Sequence, residues 1–191
     1  LINPVKRAAK LSLLRRTNFL TVPGLGNSGP DHWQTIWERS EPRFQRIGQA
    51  DWQTPRCQDW IACIDRAVAG YDPATVVLVG HSLGCLAIAH WAQQYRRTIK
   101  GALLVAPVDT EGPLYESCPA TGFESAADRK MPFKTLVVTS ADDPWVAPAR
   151  AAFLAQSWGS TFVDIGPAGH LNAVAGYGNW DEGRAFLRAL E

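Results

Sequence analysis

The strongest chemical signal in the chain is Gly80-His81-Ser82-Leu83-Gly84, which follows the apolar run Thr75–Val79 and opens the apolar stretch Cys85–Tyr95. A serine between two glycines, at a sharp turn from strand to helix, is presented for nucleophilic attack. Such a turn strains the serine backbone and brings neighbouring chains close, so neither flanking position tolerates a side chain. The helix start adds unpaired N–H groups and a partial positive charge beneath the hydroxyl. A serine hydroxyl is a weak nucleophile, however, and needs an imidazole base that is itself oriented by a carboxylate.

Chain order narrows the choice of partners, because on a strand-turn-helix scaffold of this kind the order is Ser, then Asp or Glu, then His. Only His90 and His170 lie C-terminal to Ser82, and His90 falls within the helix that the turn opens. His170, after the run Thr161–Ile165 and a glycine- and proline-rich turn, is therefore the expected general base. The expected acid is Asp143, which stands before Pro144 just after Phe133–Ser140. Asp142 is the adjacent alternative, and Asp109, after the preceding apolar run, is the other. Two preorganised N–H donors must also face the developing oxyanion. One is expected from Leu83 and the other from Leu25, in the loop Pro23-Gly24-Leu25.

Around these residues, Gly24, His32, Trp33 and Trp145 are the expected substrate contacts. His32 could equally cap or pack the helix that starts beside it. Trp33 and Trp145, each next to a loop of the site, are expected to wall an apolar acyl pocket. His81 and His90 read as structural, and Cys85 as a small buried residue.

The elements that must position this chemistry follow from hydrophobic patterning. Strands are expected at 18–23, 44–47, 75–80, 100–106, 133–140 and 161–165, and helices at 31–41, 55–70, 83–96, 147–157 and 179–190. In the second helix Trp60, Ile61, Ile64, Ala67 and Val68 share one face. Continuous Val/Leu runs in the third to fifth strands indicate burial on both faces of a parallel sheet. The expected architecture is thus α/β: a three-layer, doubly wound, mostly parallel sheet of about six strands with helices on both faces. Ligands of such sheets bind at the carboxyl ends of the strands, where Ser82, Asp143 and His170 are expected. The 26 residues of 107–132 carry four prolines. That stretch is long for a structureless loop but too short for a separate lid domain.

Composition agrees with a well-cored chain: 191 residues, 46% hydrophobic and only 19% charged. This excludes extensive disorder, and no run approaches the roughly 20 apolar residues of a membrane span. A basic arm (1–17: Lys6, Arg7, Lys10, Arg15 and Arg16, with no acid) precedes an otherwise mildly acidic single domain, 18–191. That balance does not suit a nucleic-acid-binding surface. The four cysteines show no metal-type spacing, and the N-terminus lacks the apolar core of a secretory signal, so a reducing, cytoplasmic setting is expected. A homodimer is the one protein assembly left open.

Together, Val22-Pro-Gly-Leu-Gly-Asn-Ser-Gly-Pro-Asp-His-Trp33, Gly80–Gly84, Ser140-Ala-Asp-Asp-Pro144 and Gly169-His170 resemble the small serine-hydrolase family of the α/β-hydrolase superfamily that includes retinoblastoma-binding protein nine and YdeN. The resemblance runs from about Asn18 to Glu191. It implies a minimal, lidless hydrolase with a Ser82-Asp143-His170 triad and neither metal nor organic cofactor. The basic arm has no counterpart in that family. The retinoblastoma-binding LxCxE motif is also absent, since Leu83-Gly84-Cys85 is followed by Leu86-Ala87, so that partner does not carry over. The expected function is a serine hydrolase, a carboxylesterase acting on small acyl esters through an acyl-enzyme, with thioesters and amides open to the same machinery. The alternatives are a cofactor-free perhydrolase or haloperoxidase-like enzyme, separated by peroxide-dependent oxidation with acetate, and a non-catalytic interaction module, which would not react with a serine-directed probe.

Overall fold

The computed structural model describes residues 16–124 and 129–191, so the basic arm lies outside the described residues except for Arg16 and Thr17. Six strands form one sheet: β1 (Asn18–Val22), β2 (Phe44–Arg46), β3 (Val76–His81), β4 (Gly101–Val105), β5 (Lys134–Thr139) and β6 (Thr161–Asp164). Their order is β2-β1-β3-β4-β5-β6, and every neighbouring pair is parallel. Between them lie α1 (Trp33–Ser40), α2 (Cys57–Val68), α3 (Leu83–Tyr95) and α4 (Pro148–Trp158), with α5 (Asp181–Leu187) after the last strand.

Side chains alternate between faces along a strand, so each apolar run feeds two cores. Leu20, Leu78, Leu104 and Val137 join α2, α3 and α4 in one layer. Phe19, Val77, Val79, Leu103 and Val138 join α1 and α5 in the other. This double demand is why the central strands are apolar at nearly every position. Each fully buried Val or Leu side chain contributes roughly 1.5–3 kcal/mol.

The two layers differ in material. The first is built largely of Leu, Ile and Ala, with α2 and α3 packed side by side. The second is aromatic: Trp33 contacts Trp37 and Trp180 with ring centroids 4.6 and 5.5 Å away, and Phe19 stacks on Phe44 at 4.6 Å. The last helix is shorter than its pattern suggests. Trp180 is non-helical and buried, and the chain beyond Leu187 continues in turns that return Leu190 to the core.

Strand order reverses between β1 and β3, since the chain leaves β1 towards β2 on one side and resumes with β3 on the other. Loops after these two strands diverge and open a crevice at their carboxyl ends. The Pro23-Gly24-Leu25 loop and Ser82 both sit there.

Candidate active site

Ser82 occupies the junction of β3 and α3 with φ 56° and ψ −126°, a conformation that costs a non-glycine residue roughly 1–3 kcal/mol. The strain is held by backbone bonds on both sides: Ser82 N–H to the Val105 carbonyl at 3.0 Å, and Cys85 N–H to the Ser82 carbonyl at 2.9 Å. Close approach of chains explains the glycines. A Cβ on Gly84 would lie 2.0 Å from the Val22 carbonyl oxygen, and one on Gly24 would lie 2.8 Å from the Ser82 Cβ.

His170, in the loop after β6, places Nε2 2.9 Å from the Ser82 Oγ. Its Nδ1 lies 2.9 Å from each Asp143 oxygen. The Asp143 side chain is fully buried and also accepts the Trp145 N–H at 2.9 Å. Three residues from the ends of β3, β5 and β6 thus form one continuous line of hydrogen bonds.

The imidazole is positioned by a second set of contacts. Asp142 turns away from Asp143 and accepts the Ala168 and Gly169 amides at 2.7 and 2.8 Å, and the Ser140 hydroxyl at 2.6 Å. These donors, Ser140 first, hold its carboxyl below the usual range. From the opposite side, His81 Nε2 lies 2.9 Å from the His170 carbonyl, and the Trp33 indole N–H donates to the Leu171 carbonyl at 2.9 Å. The loop that carries His170 is therefore gripped at its amides by a carboxylate and at its carbonyls by two rings.

Leu83 is the first residue of α3, so its N–H lies outside the intrahelical ladder. Leu25 is held in place by its neighbours, through Gly26 N–H to the Trp52 carbonyl and Asn27 N–H to the Gly24 carbonyl. Among the described residues neither the Leu25 nor the Leu83 amide has a protein acceptor. Both residues line a cleft of about 240 Å³ with Gly24, His32, Ser82, Trp145 and His170.

One expected contact is corrected. Trp33 does not wall this cleft: it is fully buried in the aromatic layer on the far side of the sheet. Successive helical residues point about 100° apart, so His32, the N-cap, faces the cleft while Trp33 turns beneath it. His32 caps the helix, its Nδ1 accepting the Gln34 N–H at 3.2 Å, and its ring lines the cleft. Trp145 lines the cleft, its ring 6.0 Å from the His170 ring. Asp109 is engaged elsewhere, paired with Arg150 at 3.0 Å.

No sequence pattern signals the opposite wall, formed by Val108, Tyr115 and Cys118. The long loop places them by pairing with the start of α2, through Cys57 N–H to the Thr121 carbonyl and Thr121 N–H to the Pro55 carbonyl. Phe123, fully buried against Trp60, anchors the same loop.

Two of the imidazoles that line the cleft, His32 and His81, are held neutral by burial. Burial, then the charge of Arg46, lowers His32 to about 4. Complete burial pushes His81 well below its ordinary value, and Cys85 is pushed far up for the same reason. Cys85 is therefore a buried thiol and no rival to the neighbouring serine. Among the described residues no cluster of His, Cys, Asp or Glu could hold a metal ion, and no helix is long and apolar enough to cross a membrane.

A wholly parallel six-stranded sheet with a serine turn after β3, a carboxylate after β5 and an imidazole after β6 defines an α/β-hydrolase fold. The chain belongs to the serine hydrolase family, whose model matches residues 19–189, and it is a hydrolase of that family. It is similar to a structure described as a YdeN-like hydrolase from Pectobacterium atrosepticum, with 35% identity, a TM-score of 0.81, and 97% of this chain and 96% of that one covered. The ydeN gene product of Bacillus subtilis shares 20% identity at a TM-score of 0.75, covering 91% of this chain and 98% of that one. A hydrolase from Agrobacterium vitis shares 13% identity at 0.72, with 93% and 88% covered. The last two likenesses concern the fold alone. No curated protein sequence matches the chain.

Proposed function

We propose that this hydrolase cleaves small carboxylic esters through an acyl-enzyme formed on Ser82. The reading rests on the unbroken line of hydrogen bonds from Asp143 through His170 to the Ser82 hydroxyl. In the first half-reaction His170 Nε2 takes the hydroxyl proton as Oγ attacks the ester carbonyl. The resulting oxyanion is received by the Leu25 and Leu83 amides, which reorganise little because the turn already holds them. Collapse of the tetrahedral intermediate expels the alcohol, which leaves with the proton from His170. Water then attacks the acyl-enzyme with His170 again as base, releasing the acid and restoring the hydroxyl. Asp143 stays ionised throughout and stabilises the imidazolium that forms beside it.

Size supports the substrate class. At about 240 Å³ the cleft lies below the range of roughly 300–1,000 Å³ typical of drug-sized ligands, so short acyl groups fit best. Trp145, Leu25 and Val108 supply its apolar surface. The test is labelling by a fluorophosphonate together with turnover of p-nitrophenyl esters of increasing chain length. Stoichiometric labelling of wild type, its loss in Ser82→Ala, and a rate maximum at short chains are expected. Labelling that persists in Ser82→Ala would refute the assignment.

A further inference from the structure

Two polar atoms in the wall of the cleft have no part in the chemistry above. His32 and Tyr115 are 6% and 8% exposed, and both line the cavity that holds Ser82. His32 Nε2 and the Tyr115 hydroxyl are buried, and among the described residues neither has a hydrogen-bond partner. They come from opposite walls, His32 from the loop after β1 and Tyr115 from the loop after β4. Buried polar groups are nearly always paired, and each one that is not calls for an explanation.

Both atoms are donors. His32 Nδ1 already accepts the Gln34 amide proton, so the neutral ring carries its hydrogen on Nε2. With a pKa of about 4, the ring is neutral at any pH where the enzyme would work. Burial raises the Tyr115 phenol, with Glu124 and Cys118 adding to the effect, so it too keeps its proton. Among the described residues no lysine or arginine lines the cleft. Arg46, the nearest to His32, is paired with Glu38 at 2.8 Å and donates to the Ser28 carbonyl and Asn27.

We propose that the cleft selects esters whose acyl group carries a neutral oxygen acceptor (an ether, hydroxyl or ketone), received by the Tyr115 hydroxyl and the His32 Nε2–H. Both donors already stand unpaired in the free protein, so an oxygen acceptor in the acyl group pairs them, whereas an all-hydrocarbon chain of the same length leaves them unpaired. Among the described residues a carboxylate at the same place would meet only neutral donors in a buried setting, and is disfavoured. The proposal rests on the reading of Ser82 as nucleophile and specifies the substrate of that same site.

Two isosteric pairs test it: p-nitrophenyl methoxyacetate against butanoate, and p-nitrophenyl 3-methoxypropanoate against pentanoate. In each pair one methylene is exchanged for oxygen. Each kcat/KM is divided by the ester's own rate of hydroxide hydrolysis, which removes the inductive effect of the oxygen. Wild type should favour the oxygen-bearing member of at least one pair by about tenfold after this correction. In Tyr115→Phe, which keeps the ring, that ratio should fall towards one.

His32→Asn supplies a second variant: asparagine caps a helix well but cannot reach where Nε2 lies, so the ratio should fall while the helix stays capped. Circular dichroism checks that both variants are folded. A corrected ratio near one for both pairs in wild type, with Ser82 still labelled by fluorophosphonate, overturns this proposal alone. So does a high ratio that neither substitution changes. Failure to cleave any of the four esters, with Ser82 unlabelled, overturns the nucleophile reading and this proposal with it.

Discussion

The two walls of the cleft are built on different principles. On the wall formed by the ends of β1, β3, β5 and β6, position is set by backbone: a strained Ser82, glycines pressed against carbonyls, and an imidazole loop gripped at both amides and carbonyls. On the facing wall, Val108, Tyr115 and Cys118 are carried by a long loop that is tied down at the start of α2 and by the buried Phe123. The first arrangement tolerates almost no change in residue type. The second can exchange side chains while keeping its path. On the proposed reading, reaction chemistry and substrate choice are thus separable in this molecule.

The largest test of that separation is Ser82→Ala, which should lower kcat by about 10⁶ with the fold unchanged by circular dichroism. Gly84→Ala should come next. Its Cβ would collide with two backbone carbonyls, and the overpacking should cost at least 1–3 kcal/mol of stability in urea denaturation, with activity lost in proportion. Asp142→Ala leaves the Ser82–His170–Asp143 side chains in place but removes the acceptor of two loop amides. A fall in kcat of about 10–10² with KM within about threefold is expected, together with loss of the downfield His170 Nδ1 proton signal in NMR.

Trp145→Ala and Trp33→Phe then separate wall from support. The first should shift the preferred acyl length by one or two carbons in an ester panel. The second should lower kcat by several-fold, through the lost bond to the Leu171 carbonyl, without shifting that preference.

A smaller effect concerns pH. His32 titrates at about 4 in the folded state against an ordinary 6.5, so between these values the unfolded chain binds a proton that the native state refuses. Stability is complete above about 6.5 and declines as pH falls towards 4. Thermal melts across pH 7 to 4 should show this decline, and His32→Asn should make it shallower.

What the sequence disclosed follows the same division. All six strands and all five helices fall within a few residues of their patterned positions, because a doubly covered sheet leaves unbroken apolar runs. Ser82, Asp143 and His170 meet at one edge of the sheet because each follows the end of one of those runs. Trp33 was misplaced because adjacency in sequence to a site loop says nothing about which way a helix faces. Tyr115 stayed hidden because the path of a proline-rich loop depends on distant anchors, such as the Arg56–Thr121 bridge, that no local pattern encodes. Asp142 reads from sequence only as the alternative to Asp143, and its hold on the loop of His170 appears only when the ends of β5 and β6 are brought together.

The grip of Trp33 on the Leu171 carbonyl has one more consequence. Ser82 rides on a helix rooted in the aliphatic layer, whereas the imidazole beside it is moored to the aromatic one. The hydroxyl and the imidazole are therefore referenced to independent foundations on opposite sides of the sheet. A lesion far beneath the surface, such as trimming the ring of Trp180 where it packs on Trp33, should throw hydroxyl and imidazole out of register. The mouth of the cleft would be left untouched.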